Sequence, residues 1–185
     1  MALEEPAIIV VSGIQGAGKS TVARLLAERF LRSVHIEADA LQRMIVSGGE
    51  WVSEAGEPTG EAARQLQLRL NNACLLARSF FDAGFTAVVD DIIIGERFDD
   101  LRANLAGVLF RLVVLAPAVA TVIARDEARE HTVGEQWARY LDDEQQKTMA
   151  GVGMWVHSSG QTATETVDEI MSRLEDEGLV ESEAS

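Results

Sequence analysis

The sequence predicts an α/β fold in which a parallel, doubly wound sheet of about five strands carries helices on both faces. Short apolar runs rich in β-branched residues alternate with longer segments whose apolar residues have helical spacing. The connections between them are short, and right-handed crossovers place the helices on both sides of such a sheet. Because composition does not shift along the 185 residues, we expect one domain over residues 1–185 with its core at about 7–175.

The first predicted element is a strand at residues 7–11, which is followed by a glycine-rich loop and a helix. The strand is short, apolar and β-branched, as is typical of a buried parallel strand. Residues 13–21, GIQGAGKST, match the pattern G-x-x-x-x-G-K-[ST], and apolar residues recur at helical spacing after them. Glycines let backbone N–H groups turn inward around phosphate oxygens, and the helix N-terminus adds a favourable partial charge. The segment therefore predicts a nucleoside triphosphate site.

Within this loop, Lys19 is expected to reach the β- and γ-phosphates, and Ser20 is expected to offer its hydroxyl to Mg²⁺. Lys19 and Lys147 are the only lysines in the chain, so a chance match to the pattern would be rare. The predicted nucleotide-binding residues are Gly13, Gln15, Gly16, Ala17, Gly18, Lys19, Ser20 and Thr21.

Two acidic residues follow a second predicted strand at residues 34–37. Glu37 ends this strand, and Asp39 lies two residues further on. In open α/β sheets, ligands bind outside the carboxyl ends of the strands, so both carboxylates are expected to face the phosphate site. Glu37 is a candidate for the Mg²⁺ site. Asp39 is interpreted as the base that accepts a proton, as the N-cap of the next helix, or as both.

The segment at residues 47–58 is a glycine-punctuated loop, and a long helix is predicted after it at about residues 59–83. The loop is a candidate acceptor-binding segment, with Arg43 and Trp51 as its contacts. Trp51 is equally well explained as a residue that packs the loop down.

In the long helix, we interpret Arg64 and Arg69 as solvated. The next predicted strand, residues 85–89, ends in Asp90 and Asp91. An apolar strand that ends in aspartate is the usual companion of a phosphate-binding loop, so Asp90 is predicted to hold Mg²⁺ directly or through water. Asp91 is expected to face the acceptor.

The following segments are predicted as a short helix or turn at residues 97–104 and a buried strand at residues 108–115. Pro117 is expected to open a helix at its first position. After a break, Thr132 and Glu135 have the spacing of a capping box for another helix.

Two arginines, Arg125 and Arg129, lie four residues apart and therefore on one face of the helix before that break. Two helices around a break, with paired arginines, predict a lid at about residues 125–137 that closes over phosphates. Arginine suits a transferring phosphoryl group because it stays charged and presents a rigid fork. The alternative is that these arginines form ion pairs with neighbouring acidic residues.

The C-terminal part is predicted to contain a last strand at residues 154–157 and a final helix capped by Thr162 and Glu165. Residues 178–185 are expected to be a frayed, acidic C-terminus. The three histidines, His35 among them, are interpreted as structural or exposed, since no His, Cys and carboxylate set has the spacing of a zinc site.

The composition limits the function classes. A formal net charge of −14 and one cysteine in an apolar helical pattern argue against a general nucleic-acid binder and against disulfides. No apolar run approaches the length of about 20 residues that spans a bilayer, and the first residues lack the features of a signal peptide. We therefore expect a cytoplasmic protein with no nucleic-acid or membrane partner.

Taken in order, the motifs resemble those of the small P-loop kinases. They are the loop at residues 13–21, the pair Glu37 and Asp39, the pair Asp90 and Asp91, and the pair Arg125 and Arg129. The architecture is similar to that of shikimate and gluconate kinases. The motif set is closer to the chloramphenicol phosphotransferase-like group, in which an aspartate after the second strand is the base for a hydroxyl acceptor. Glu37 departs from shikimate kinases, which carry an aspartate at that position.

This resemblance implies a three-layer P-loop NTPase fold with strand order 2-3-1-4-5 and a helical lid. It also implies ATP with Mg²⁺ as the phosphoryl donor, Asp39 as the base and the lid arginines on the phosphates. The expected catalytic residues are Asp39, Lys19, Arg125 and Arg129.

The leading hypothesis is an ATP-dependent phosphotransferase that acts on a hydroxyl of a small molecule, either an antibiotic or a metabolite. One alternative is a nucleoside or nucleotide kinase, for which Arg43, Arg64 and Arg97 would supply additional positive charge. The other is a nucleotide-binding regulatory switch without a small-molecule acceptor. A GTP-binding switch typically reads guanine with Asn-Lys-x-Asp, and neither lysine of this chain follows an asparagine.

Overall fold

The computed structural model describes residues 5–52, 56–127 and 134–180, and six strands form its sheet. In chain order they are β1 (Ile8–Gly13), β2 (Ser33–Glu37), β3 (Thr86–Asp90), β4 (Phe110–Leu115), β5 (Met154–Val156) and β6 (Leu179–Val180). The first five are parallel and have the order β2-β3-β1-β4-β5. The predicted α/β fold and strand order are therefore confirmed.

Seven helices cover the two faces of this sheet in the described part of the chain. They are α1 (Lys19–Ala27), α2 (Ala38–Arg43), α3 (Gly60–Asp82), α4 (Glu96–Asn104), α5 (Val119–Glu127), α6 (Glu135–Met149) and α7 (Ala163–Arg173). Residues of β1 alternate between two hydrophobic clusters, with Ile9 and Val11 in one and Ile8 and Val10 in the other. This alternation follows from the pleat of a strand that is buried on both faces.

The end of the chain differs from the expected frayed terminus. Leu179 and Val180 pair antiparallel with Phe110 and Arg111 of β4, and Gly178 accepts a hydrogen bond from the backbone of Leu112 at 2.8 Å. Residues 181–185 lie outside the described residues. The short strand β5 leaves the first half of one β4 edge unpaired, and β6 satisfies the backbone groups there.

The helix starts follow the sequence in some places and not in others. Thr162 and Glu165 form the predicted capping box of α7, which is therefore confirmed. The prediction for α6 is wrong, because the helix starts at Glu135 with Gly134 before it, and Glu135 is its first rather than its third residue. Thr132 itself lies outside the described residues. Pro117 precedes the start of α5 by two residues rather than opening it. None of the described helices is both long and apolar enough to cross a membrane.

Candidate active site

The glycine-rich loop joins β1 to α1 and depends on backbone conformations that favour glycine. Gly13, Gly16 and Gly18 have φ values of 151°, 83° and 95°. A Cβ atom added at Gly13 would lie 2.8 Å from the carbonyl oxygen of Leu115, so the tight packing of β1 against β4 requires a glycine there. The glycines of the pattern therefore occupy positions where the backbone conformation of the turn favours glycine.

Lys19 lies at the first position of α1, within the loop. Its Nζ donates a hydrogen bond to the carbonyl oxygen of Ile14 at 3.1 Å. Burial lowers the pKa of the Lys19 ammonium, and the carboxylates of Asp90, Asp39 and Asp91 oppose that shift. The amine is thus under the electrostatic influence of three carboxylates, two from the end of β3 and one from the first turn of α2.

Asp90, at the end of β3, is the acidic residue that contacts the loop directly. The hydroxyl of Ser20 donates to its Oδ2 at 2.6 Å, and Nε2 of His35 lies 2.7 Å from its Oδ1. A hydroxyl oxygen beside a carboxylate oxygen is a donor set that fits Mg²⁺, which prefers oxygen ligands. His35, interpreted from sequence as structural or exposed, fixes the orientation of this carboxylate. No group of three or more His, Cys, Asp or Glu side chains suited to a metal occurs among the described residues.

The two acidic residues predicted at the end of β2, Glu37 and Asp39, have different surroundings and different ion-pair partners. Glu37 is the residue before α2, and its carboxylate accepts a hydrogen bond from Nη2 of Arg43 at 2.7 Å on the exposed rim. Asp39 is inside the first turn of α2, so the prediction that it is the N-cap is wrong. Its side chain is 46% exposed, and its Oδ1 accepts a hydrogen bond from Nη1 of Arg69 at 2.7 Å.

Arg69 is not solvated, and this prediction from the sequence is wrong, whereas Arg64 is exposed as expected. The Arg69 side chain is 6% exposed, and its two terminal nitrogens bind different carboxylates. Nη1 binds Asp39, Nη2 binds Oδ1 of Asp91, and Nε is enclosed without a hydrogen-bond partner. The sequence carried a signal, because Arg69 is four residues from Ala73 on the buried face of α3.

Asp91 was expected to face the acceptor, and it lines a cleft together with Lys19 and Asp39. Its carboxylate is only 1% exposed, and both of its oxygens accept hydrogen bonds. Besides Arg69, it binds Nη2 of Arg97 through Oδ2 at 2.7 Å. Its Oδ1 also accepts the backbone N–H of Ile92 at 2.8 Å. The chain of contacts from Arg97 through Asp91 and Arg69 to Asp39 ties α4, the end of β3, α3 and α2 together. We call these four residues the arginine–aspartate chain.

The loop before α3 is held by two buried glutamines. Oε1 of Gln65 accepts from the backbone N–H of Glu50, and its Nε2 donates to the carbonyl oxygen of Gly48, both at 2.7 Å. Nε2 of Gln42 donates to the carbonyl oxygen of Glu50 at 2.9 Å. Trp51, which follows this clamped segment, is 50% exposed and does not pack the loop down completely. Residues 53–55 lie outside the described residues.

One cleft brings most of the predicted site residues together. It is lined by Gln15, Gly16, Gly18, Lys19, Ser20, Thr21, Asp39, Asp90, Asp91 and Ile92. Gly13 and Ala17 are buried residues of the loop that do not line the cleft, and Glu37, Arg43 and Trp51 are not part of the lining either. Of the lid arginines, Arg129 and the side chain of Arg125 lie outside the described residues.

A comparison of the sequence with models of protein families assigns the chain to a family. The model of the family described as AAA domain matches residues 8–151, which run from β1 to just beyond α6. The chain belongs to the AAA domain family. No curated protein matches its sequence.

Solved structures with the same fold include several small kinases. A gluconokinase from Sinorhizobium meliloti 1021 is 23% identical with a TM-score of 0.63, and 92% of each chain is covered. An APS kinase from Mycobacterium tuberculosis, solved with AMPPNP and APS, is 18% identical with a TM-score of 0.67, covering 93% of this chain and 99% of that chain. A shikimate kinase from Bacteroides thetaiotaomicron is 13% identical with a TM-score of 0.67, covering 91% of this chain and 98% of that chain. These likenesses show that the AAA domain of this chain has the fold of P-loop kinases.

Proposed function

We propose that this AAA domain protein is an ATP-dependent phosphotransferase that moves the γ-phosphoryl group of ATP to a hydroxyl of a small molecule, either an antibiotic or a metabolite. The observation that carries the proposal is the position of Asp39. Its half-exposed carboxylate lines the same cleft as Lys19 and Ser20 of the phosphate loop. If the loop holds the terminal phosphate in this cleft, as we propose, a carboxylate on the same cleft is suited to accept the proton of a hydroxyl acceptor.

On the nucleotide side, backbone N–H groups of the loop and Lys19 bind the β- and γ-phosphates. Ser20 and Asp90 would hold Mg²⁺, which when bound neutralises charge on the phosphates. Glu37 is a weaker candidate for that site, because its carboxylate is paired with Arg43 outside the cleft lining. Arg125 and Arg129 are proposed to close over the transferring group.

On the acceptor side, Asp39 accepts a hydrogen bond from the acceptor hydroxyl and takes its proton during transfer. The hydroxyl oxygen forms a bond to the γ-phosphorus while the bond from that phosphorus to the oxygen of the β-phosphate breaks, and ADP leaves. Arg69 binds only Oδ1 of Asp39, so Oδ2 is not engaged by Arg69 and is the atom assigned to the acceptor. Positioning of this kind accounts for most of the catalysis of phosphoryl transfer.

The test is Mg²⁺-dependent ATP consumption with a panel of hydroxylated metabolites, antibiotics, nucleosides and nucleotides. We expect transfer to one class of small hydroxyl compound, loss of transfer in Lys19→Ala, and a drop of about 10²-fold or more in kcat for Asp39→Asn with ATP binding retained. Lys147→Ala is the matched control, since Lys147 is an exposed lysine on α6 that pairs with Glu144. Asp143→Asn, at another exposed aspartate, is the control for Asp39.

The same panel separates the alternatives. Transfer only to nucleosides or nucleotides would replace the proposal with a nucleoside or nucleotide kinase. Stoichiometric ATP binding with hydrolysis that no acceptor accelerates would favour a regulatory switch. Asp39→Asn with an unchanged transfer rate would remove Asp39 from the role of base.

A further inference from the structure

We propose that the acceptor carries no anionic group, so that the cleft selects an uncharged or cationic hydroxyl compound and rejects carboxylates and phosphate esters. The inference rests on the proposed function, because it names the substrate class of the same site. Its basis is that the arginines at the cleft, among the described residues, already form ion pairs with carboxylates of the protein.

Arg69 binds the proposed base directly, and it is not available to an anion. Its two terminal nitrogens are bound by Asp39 and Asp91, and the remaining Nε is enclosed. The bond to Asp91 is buried, with the two side chains 6% and 1% exposed. An anionic acceptor that took this guanidinium would leave the Asp91 carboxylate buried beside one arginine instead of two, which is a strongly unfavourable exchange.

Arg97 is committed in the same way. Its Nη2 binds Oδ2 of Asp91, and its Nε donates to the carbonyl oxygen of Ile92 at 2.9 Å. The Arg97 side chain is therefore held by the carboxylate oxygen of Asp91 that Arg69 does not bind. It stabilises the position of Arg69 and offers no charge to the open part of the cleft.

Arg43 is the more accessible arginine, and its surroundings also disfavour an anion. It lies four residues after Asp39 on α2 and so on the same face of the helix, and it is paired with Glu37. An acceptor carboxylate that displaced Glu37 would lie beside the released Glu37 carboxylate and close to Asp39. The repulsion from these like charges offsets the attraction of Arg43.

The overall charge around the cleft supports the same conclusion. Besides His35, the ionisable side chains that line the cleft or pair with its lining, among the described residues, are three cations and three carboxylates. They are Lys19, Arg69 and Arg97, and Asp39, Asp90 and Asp91. The ion pair of Arg43 with Glu37, outside the lining, adds one charge of each sign. Bound MgATP adds net negative charge to this neutral set, so the acceptor half becomes unfavourable for a second anion and favourable for a hydroxyl donor or an ammonium group.

The first experiment measures anion binding without turnover. The protein is saturated with Mg²⁺ and AMPPNP, so that the phosphate sites are filled, and sulfate is titrated at constant ionic strength with calorimetric detection. We expect that the wild type has no sulfate site that depends on Arg43, so that wild type and Arg43→Gln give the same titration. In Glu37→Gln, which releases Arg43, a sulfate site should become detectable, with an affinity at least about tenfold above the detection limit that the wild type does not reach. Glu28→Gln, which releases the exposed Arg24 in the same way on α1, is the matched control and should bind as the wild type does.

The second experiment compares matched acceptors in the transfer assay, such as glucitol with gluconate and glycerol with glycerate. We expect kcat/KM to be at least about tenfold higher for the uncharged member of any pair that is phosphorylated.

Two results would overturn the inference. One is a sulfate site in the wild type that the Arg43→Gln variant lacks, or sulfate binding in the Glu37→Gln variant that is no tighter than in the wild type. The other is preferential transfer to the anionic member of a pair, which would at the same time establish the kinase. If no acceptor is phosphorylated at all, the proposed function fails, and the sulfate titration still decides whether the cleft accepts an anion.

Discussion

Replacement of Arg69 by methionine is the most direct test of the arginine–aspartate chain. Methionine fills a similar unbranched volume, so the change removes the guanidinium with little loss of packing. It leaves Asp91, a carboxylate that is 1% exposed, with only Arg97 and the backbone N–H of Ile92 as partners. The second carboxylate, Asp39, is 46% exposed and can be hydrated when Arg69 is removed.

The exposed fractions of these two carboxylates determine how much the free energy of unfolding changes. Removing one partner of a buried ion pair costs about 3–5 kcal/mol, and the partners that Asp91 retains place this case at the lower end. Loss of the half-exposed Asp39 pair adds less than about 1 kcal/mol. We therefore expect the free energy of unfolding to fall by about 3 kcal/mol in Arg69→Met. In a domain of this size that corresponds to a decrease in Tm of about 6–12 °C.

Urea denaturation of the protein without nucleotide measures this change. Arg64→Met is the matched control, because Arg64 is on the same helix, is exposed and pairs with Glu61. It should change stability by no more than about 0.5 kcal/mol. In the double variant with Asp91→Asn, the carboxylate that lost its partner is no longer charged, so the loss should be smaller than the sum of the single losses. A loss below about 1 kcal/mol in Arg69→Met would refute the view that Asp91 depends on this guanidinium.

Three further predictions concern the loops and the single cysteine. Gly13→Ala places a Cβ atom 2.8 Å from the carbonyl oxygen of Leu115, so it should cost about 1–3 kcal/mol in urea denaturation and weaken nucleotide binding. Gln65→Leu removes the hydrogen bonds to Gly48 and Glu50, so amide exchange over residues 45–51 should rise by about tenfold or more. Burial raises the pKa of the Cys74 thiol to about 12, so iodoacetamide at pH 8 should label the native protein far more slowly than the urea-unfolded protein, and equal rates would contradict this burial.

The sequence predicted the fold well because the elements that define it are long or strongly patterned. The strands β1, β3 and β4 are short, predominantly apolar runs, and nearly all of their residues are buried in the sheet. Helix α3 was expected at about residues 59–83 and is observed at Gly60–Asp82, where Thr59 and Gly84 mark its limits. The two-residue strand β6 could not be predicted, because its pairing depends on which edge of β4 the neighbouring strand leaves free.

For the site, the sequence predicted which residues share the cleft more reliably than how they are paired. Lys19, Ser20, Asp39, Asp90 and Asp91 were predicted from motif positions at strand ends, and all five line the cleft. Parallel strands place their carboxyl ends at one edge of the sheet, so this result follows from topology alone.

The partners of these residues were missed because they depend on packing between helices. Arg69 lies 30 residues after Asp39, and only the packing of α2 on α3 brings the two side chains together. His35 comes close to Asp90 because β2 and β3 pair in a register that aligns Glu37 with Asp90. A single sequence does not contain that register, whereas an arginine within an apolar helical stripe does suggest a buried ion pair.

The two adjacent aspartates at the end of β3 show how the pleat of a strand divides one cleft into two functions. Successive side chains of an extended chain point in opposite directions, so Asp90 is directed to Ser20 and His35 while Asp91 is directed to Arg69 and Arg97. The first carboxylate is thereby placed beside the phosphate loop, and the second holds the arginine that binds Asp39. A dipeptide at the end of a buried strand can therefore couple the geometry of the nucleotide side to that of the acceptor side, because a shift of the backbone there would displace both carboxylates.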